Sequence, residues 1–153
     1  MYANVLRGIS KVRRNADSIR AVQNGVHWHD GLPSGIVVPT HWYTAVITAL
    51  VIQLVALFDN ALESYITANC PEFTGQSLGR RINHLSALGV LTDGPSLEAL
   101  RKRRNELAHE ADGQVTWADF DLAYDTVQRQ LDAIGATPNN LNRPTPAQPA
   151  EAS

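Results

Sequence analysis

The segment from residue 41 to residue 68 constrains this chain most. Tyr43, Ile47, Leu50, Leu54, Leu57, Phe58, Ala61, Leu62 and Tyr65 recur at i, i+3, i+4 and i+7, the spacing that lines one face of an α-helix. Val46, Val51 and Val55 fill the other side of its first half. A helix apolar on two faces is buried on both, so this one runs through a bundle centre or lies at a subunit interface. Asp59, Asn60, Glu63 and Ser64 return the second half to an amphipathic pattern. Thr40 stands where an N-cap belongs, and Pro71 ends the helical region. The apolar run over 45–58 is interrupted by Thr48 and Gln53. It falls short of the roughly 20 apolar residues that span a bilayer, so a core helix and no membrane contact are expected.

Four further helices follow from the same periodicity. Val5, Ile9, Val12, Ile19 and Val22, with Ala16 between, mark a first helix over 4–24 that stops at Asn24-Gly25. Gly25, Gly31, Pro33, Gly35 and Pro39 make 25–40 a long connection, in which Ile36-Val37-Val38 suits a short extended piece. Leu78, Ile82, Leu85 and Leu88 face inward on a helix over 76–89 that stops near Gly89. After the turn at Asp93-Gly94-Pro95, Ser96 is placed to cap a helix over 96–109 carrying Leu97, Leu100 and Leu107. Gly113 breaks it. Thr116 caps the last helix, to about Ile134, with Trp117, Phe120, Tyr124, Val127 and Leu131 on one stripe and Gly135 as its stop. The expected fold class is all-α, a bundle of four to five helices over residues 1–134. Pro138, Pro144, Pro146 and Pro149 make 135–153 a solvated, Pro-rich disordered tail by composition.

With 153 residues, 44% hydrophobic and 18% charged, the chain holds one ordinary domain with a self-sufficient core. Cys70 is the single cysteine, which excludes an intrachain disulfide and fits a reducing cytosol. Met1 to Ser10 lack the apolar stretch of a secretion signal, so a cytoplasmic location is expected. Net charge is −2, which does not by itself announce a nucleic-acid binder. The distribution is more informative. Residues 80–104 carry Arg80, Arg81, Arg101, Lys102, Arg103 and Arg104 against Asp93 and Glu98, whereas 105–135 hold seven acids and only Arg129. A local basic patch of this kind can meet phosphate.

Arg101-Lys102-Arg103-Arg104 runs directly into Asn105-Glu106-Leu107-Ala108-His109. On its own, a basic run is an ordinary solvated helix face, and a His in a last turn complements the helix dipole. The spacing allows more. Arg104 and His109 are separated by about 7.5 Å along a helix axis, within reach of one phosphodiester. His moves protons near neutral pH, and the guanidinium fork suits the charge that develops on phosphorus-bound oxygens. Together they are a minimal kit for RNA cleavage without metal or cofactor, with Asn105 orienting the phosphate or the histidine.

The stretch from Leu97 to Glu110 resembles the signature of the HEPN superfamily, an Arg, four to six residues and a His, often with a polar residue directly after the Arg. Arg104, Asn105 and His109 match that pattern, and the resemblance extends over roughly 41–134 through the long helix before it and the helix from Thr116-Trp117 after it. It implies an α-helical bundle that forms a homodimer, with the Arg and His of two protomers lining a shared cleft. It also implies a metal-independent ribonuclease of toxin–antitoxin, phage-defence or CRISPR-linked systems, with an antitoxin or defence protein as a possible partner. By the same resemblance His109 is the general base or acid and Arg104 stabilises the transition state. One toxin subgroup has a Tyr two residues after the His as a target of AMP transfer; Ala111 stands there, which removes that control. Some members keep the bundle without nuclease activity, so a non-catalytic helical dimer that binds another protein is the alternative.

Other candidates are secondary. Asp59 and Glu63, four apart on one helix face, can pair with Arg104 across the cleft, or simply face solvent; acids recur in the family's equivalent helix, which favours Glu63. Arg80, Arg81 and His84 can extend the phosphate path, with Arg101, Lys102 and Arg103 as further RNA contacts. His27-Trp28-His29-Asp30, with His41, matches no strong zinc spacing, and no metal is expected. Trp28 and Trp42 suit packing or base stacking. Nothing near Cys70 in sequence supplies an activating base.

Overall fold

The computed structural model describes residues 1–24, 27–29, 32–34, 40–109 and 114–137. Its elements are α1 (Ala3–Asn24), β1 (His27–His29), β2 (Leu32–Ser34), α2 (Thr40–Asn69), α3 (Leu78–Ala87), α4 (Gly94–His109) and α5 (Trp117–Ala133). Among the described residues the architecture is all-helical apart from one short hairpin. Its antiparallel strands place His27 opposite Ser34, Trp28 opposite Pro33 and His29 opposite Leu32. The hairpin falls in the connection where an extended piece was expected only at Ile36-Val37-Val38, which lies outside the described residues, as do Ala111 and 138–153.

The thirty-residue α2 is the axis, and α1, α3, α4 and α5 all pack against it. Val51, Leu54, Val55 and Phe58 are at most 1% exposed, so both apolar faces of its first half are covered within one chain. The two-faced pattern therefore marks a bundle centre. The run over 45–58 underestimated this element. The helix is long and apolar enough to cross a membrane by length and composition, and four helices of the same chain pack against it, burying 44% of its most apolar stretch. Gly8 lets α1 approach closely, because a Cβ there would meet Leu57 Cδ2 at 2.7 Å.

Two helix ends close the same way. After α3, Gly89 takes φ +72°, its N–H donates to Ser86 and Val90 N–H donates to Leu85. After α5, Gly135 takes φ +76°, its N–H donates to Asp132 and Ala136 N–H donates to Leu131. Both are Schellman endings, which satisfy the last carbonyls and need the left-handed conformation that glycine adopts at little cost. Ala136 is 1% exposed, so the packed chain continues past residue 134, where the tail was expected to begin.

The start of α4 corrects one expectation. The helix begins at Gly94, and Ser96 lies inside its first turn. Asp93, at φ +60°, takes the cap: its carboxylate accepts from Ser96 N–H at 3.4 Å and from the Ser96 hydroxyl at 2.6 Å. Arg129 of α5 holds the same carboxylate at 3.1 Å, and buried Gln130 donates to Thr92 O at 2.5 Å while accepting from Thr92 N–H at 3.4 Å. The turn that launches α4 is thus fastened to α5. Val22 and Leu88 were expected inside but are 63% and 56% exposed. Both sit near helix ends, beyond the reach of the packed stripes.

Thr116 caps α5 in a full capping box: its hydroxyl accepts from Asp119 N–H at 3.3 Å, and the Asp119 carboxylate accepts from Thr116 N–H at 2.8 Å. Burial pushes the Asp119 carboxyl up, but the Thr116 N–H, the Arg103 charge and the Thr116 hydroxyl together hold it below its ordinary value. That lowering makes Asp119 stabilising above the ordinary carboxylate range, with the contribution lost as pH falls through its folded value. Thr116→Ala should cost about 1 kcal/mol in urea unfolding at neutral pH; an unchanged midpoint and slope would mean the box contributes nothing.

Candidate functional site

The site follows from how α4 distributes its residues around the axis. Leu97, Leu100 and Leu107 are buried on the inward stripe. At about 100° per residue, Arg104 falls inside that same arc, where a fourth leucine would continue the pattern. The guanidinium therefore emerges among α2, α3 and α4, half-buried. It lines a cavity of about 450 Å³ together with Asn105, Arg101, Asn60 and the first residues of α3.

His109 leaves the last turn of α4 about 140° from Arg104 and is exposed. Axial spacing alone would bring the pair together; azimuth alone would separate them. Asn105 stands between them on the helix surface. Its Oδ1 accepts from Arg104 Nη1 at 3.2 Å, drawing the guanidinium toward the edge of the helix. His109 is four residues beyond Asn105, and i, i+4 side chains are neighbours about 5–6 Å apart at Cβ. Arg101 is four residues before Asn105, so Arg101, Asn105 and His109 form one polar ridge onto which Arg104 leans.

The acids of α2 are engaged elsewhere. Asp59 accepts from Arg81 at 2.7 Å, and Glu63 lies 3.8 Å from the same guanidinium. Of the two readings their spacing allowed, neither the pairing with Arg104 nor plain exposure of both describes them within this chain, where Arg81 is their partner. These carboxylates anchor α3 to α2 through Arg81, which is only 9% exposed. Arg81 is correspondingly withdrawn from any phosphate path, since a buried paired cation keeps its partner. Arg80 is exposed. His84 stacks on Phe73 with ring centroids 4.2 Å apart, and its buried Nε2 has no partner among the described residues. The fold also brings His84 to the same surface pocket as Cys70, a proximity hidden by thirteen intervening positions.

The basic run divides by direction. Arg101 is held by Glu98 through two hydrogen bonds, of 2.5 and 3.1 Å. Arg103 turns to the other flank, where it reaches Asp119 at 3.1 Å, Glu106 at 3.5 Å and the Gln114 carbonyl. Lys102 is exposed. Arg104 makes no ion pair among the described residues, so of the cations lining the cavity it alone carries uncompensated charge. Charge count along the sequence could not reveal this division; the place of Arg104 within the leucine stripe could.

No family model, curated protein or solved structure matches the chain. The functional reading therefore rests on this geometry and on the residues themselves. Among the described residues no three His, Cys, Asp or Glu side chains gather as a metal site. His41 is exposed, Trp42 is 43% exposed and edge-on to Tyr43 at 5.2 Å, and the side chains of His27, Trp28, His29 and Asp30 lie outside the described residues.

Proposed function

We propose that this chain is a metal-independent endoribonuclease of HEPN type, cytoplasmic and homodimeric, working in a toxin–antitoxin or phage-defence setting. The observation that carries the reading is the Arg104–Asn105–His109 edge of α4: a cation with no carboxylate partner among the described residues, held by an amide, with an exposed imidazole one turn beyond that amide on the same helix. In the reaction the 2′-hydroxyl oxygen attacks the adjacent phosphorus as His109 takes its proton. Arg104 binds the charge that builds on the non-bridging oxygens. The bond to the 5′-oxygen breaks, water supplies the proton to that oxygen as it leaves, and the proton on His109 passes back to solvent. Products are a 2′,3′-cyclic phosphate and a 5′-hydroxyl.

End analysis of RNA cut in excess EDTA tests this chemistry. Cyclic phosphate and 5′-hydroxyl ends are expected. Ends bearing 3′-hydroxyl and 5′-phosphate, or cleavage that appears only with a divalent ion, would contradict it. One observation favours the second reading, a non-catalytic interaction module. Leu122 is 62% exposed at the rim of an apolar groove of about 360 Å³ between α4 and α5, floored by Val51 and Leu100. That reading predicts a stable complex and no cleavage under any condition.

A further inference from the structure

The cavity beside Arg104 has more structure than a bare phosphate contact requires. Its α2 wall is apolar at Val55 and Ala56 and becomes polar at Asn60. Gln76 closes the opposite side, and Asn105 stands at the α4 rim. Among the described residues the Asn60 and Gln76 side chains have no hydrogen-bond partner, and Asn105 uses only its oxygen, on Arg104. Three amides, each able to donate and accept, therefore border one apolar wall. The one acid at the rim among the described residues, Asp59, is neutralised by Arg81 at 2.7 Å, so these residues do not repel an anion. The first turn of α3 adds to this. It contains no acid, and Ser77 caps only the Arg80 N–H, so among the described residues the Leu78 and Gly79 N–H groups of the first turn are unclaimed.

We infer that this cavity is a nucleotide subsite that takes one ribonucleoside monophosphate unit. Its phosphate lies on Arg104 and the first turn of α3, and its base lies against Val55 and Ala56 with its polar edge on Asn60 and Gln76. A volume of about 450 Å³ falls in the range of small-ligand sites, about 300–1,000 Å³. An apolar wall with a few converging polar groups is how such sites fix orientation. Inorganic phosphate alone would use the arginine and the helix end but leave the wall and amides idle. The inference rests on the ribonuclease reading for its biological ligand, where the unit is the nucleotide attached to the scissile phosphate. Binding of the free mononucleotide does not depend on that reading.

The test is titration of the full chain with AMP, CMP, GMP, UMP and inorganic phosphate, followed by backbone amide NMR. Expected are saturable shifts at Asn60, Gly79 and Asn105 with at least one mononucleotide. Arg104→Ala should weaken that binding about tenfold or more, as loss of a charge-assisted contact does. Asn60→Leu, an exposed substitution that leaves the core intact, should weaken the mononucleotide severalfold and leave inorganic phosphate unchanged. Shifts that saturate elsewhere, no saturable shift, or equal weakening of phosphate and nucleotide by Asn60→Leu would overturn the subsite. Mononucleotide binding here without RNA cleavage would uphold the subsite and reject the nuclease. Cleavage that depends on His109 but ignores Asn60→Leu at every RNA sequence would do the reverse.

Discussion

Replacing His109 with alanine should lower RNA cleavage about 10²–10⁴-fold at neutral pH, the span that a positioned proton-transfer group contributes. The same change should barely alter stability. His109 is exposed in the last turn of α4 and takes no part in the core. If its role were only to complement the negative end of the helix dipole, its removal would cost about 0.3–1 kcal/mol of stability and nothing in rate. The two roles therefore differ in which quantity moves, and parallel cleavage and urea-unfolding measurements on His109→Ala separate them. Wild-type cleavage with a lowered midpoint would assign His109 to the helix end alone.

Phe58→Ala should produce the largest loss of stability, about 3–5 kcal/mol. Phe58 is wholly buried in α2, the helix that all four others contact. Truncation removes the transfer energy of the ring and leaves a cavity that a packed bundle closes only in part. Domains of ordinary stability hold about 5–15 kcal/mol, so the variant should melt at least 10 °C lower by the usual scaling, roughly. Leu122→Ala, at a position 62% exposed, should stay within about 0.5 kcal/mol. The pair distinguishes burial within one chain from burial against a partner. Were α2 covered mainly by a second subunit, Phe58→Ala would change how strongly the midpoint depends on protein concentration relative to wild type; an equal loss of stability at every protein concentration is the expected result.

Periodicity alone made the bundle legible, because one stripe per helix suffices to say which side is buried. The stripe of Phe120, Val127 and Leu131 and the stops at Gly89 and Gly135 stand where spacing and turn chemistry put them. Local competition was harder to read. Asp93 and Ser96 are both good caps, and only the extra bond from Arg129, far along the chain, shows why Asp93 holds the position. The partners of Asp59 and Glu63 were illegible for the same kind of reason. Spacing puts both acids on one face of α2 but does not say which cation another helix presents to it, and α3 presents Arg81. Arg104 is the opposite case. Its position between Leu100 and Leu107 on the inward stripe is plain in the sequence, and a lone arginine there already points to a polar cavity among packed helices. The role of Asn105 needed coordinates, since its contact with Arg104, on the flank from which His109 leaves, cannot be read from spacing.

The central claim is that Arg104 and His109 act as one unit on RNA. A double-mutant cycle of Arg104→Ala and His109→Ala, read as cleavage of one RNA in excess EDTA, tests it most directly. The account predicts that each single variant loses at least about 100-fold in rate and that the double variant is little slower than the worse single, because groups that act together are strongly non-additive. Wild-type rates in either single variant, or losses that simply multiply in the double, would contradict it.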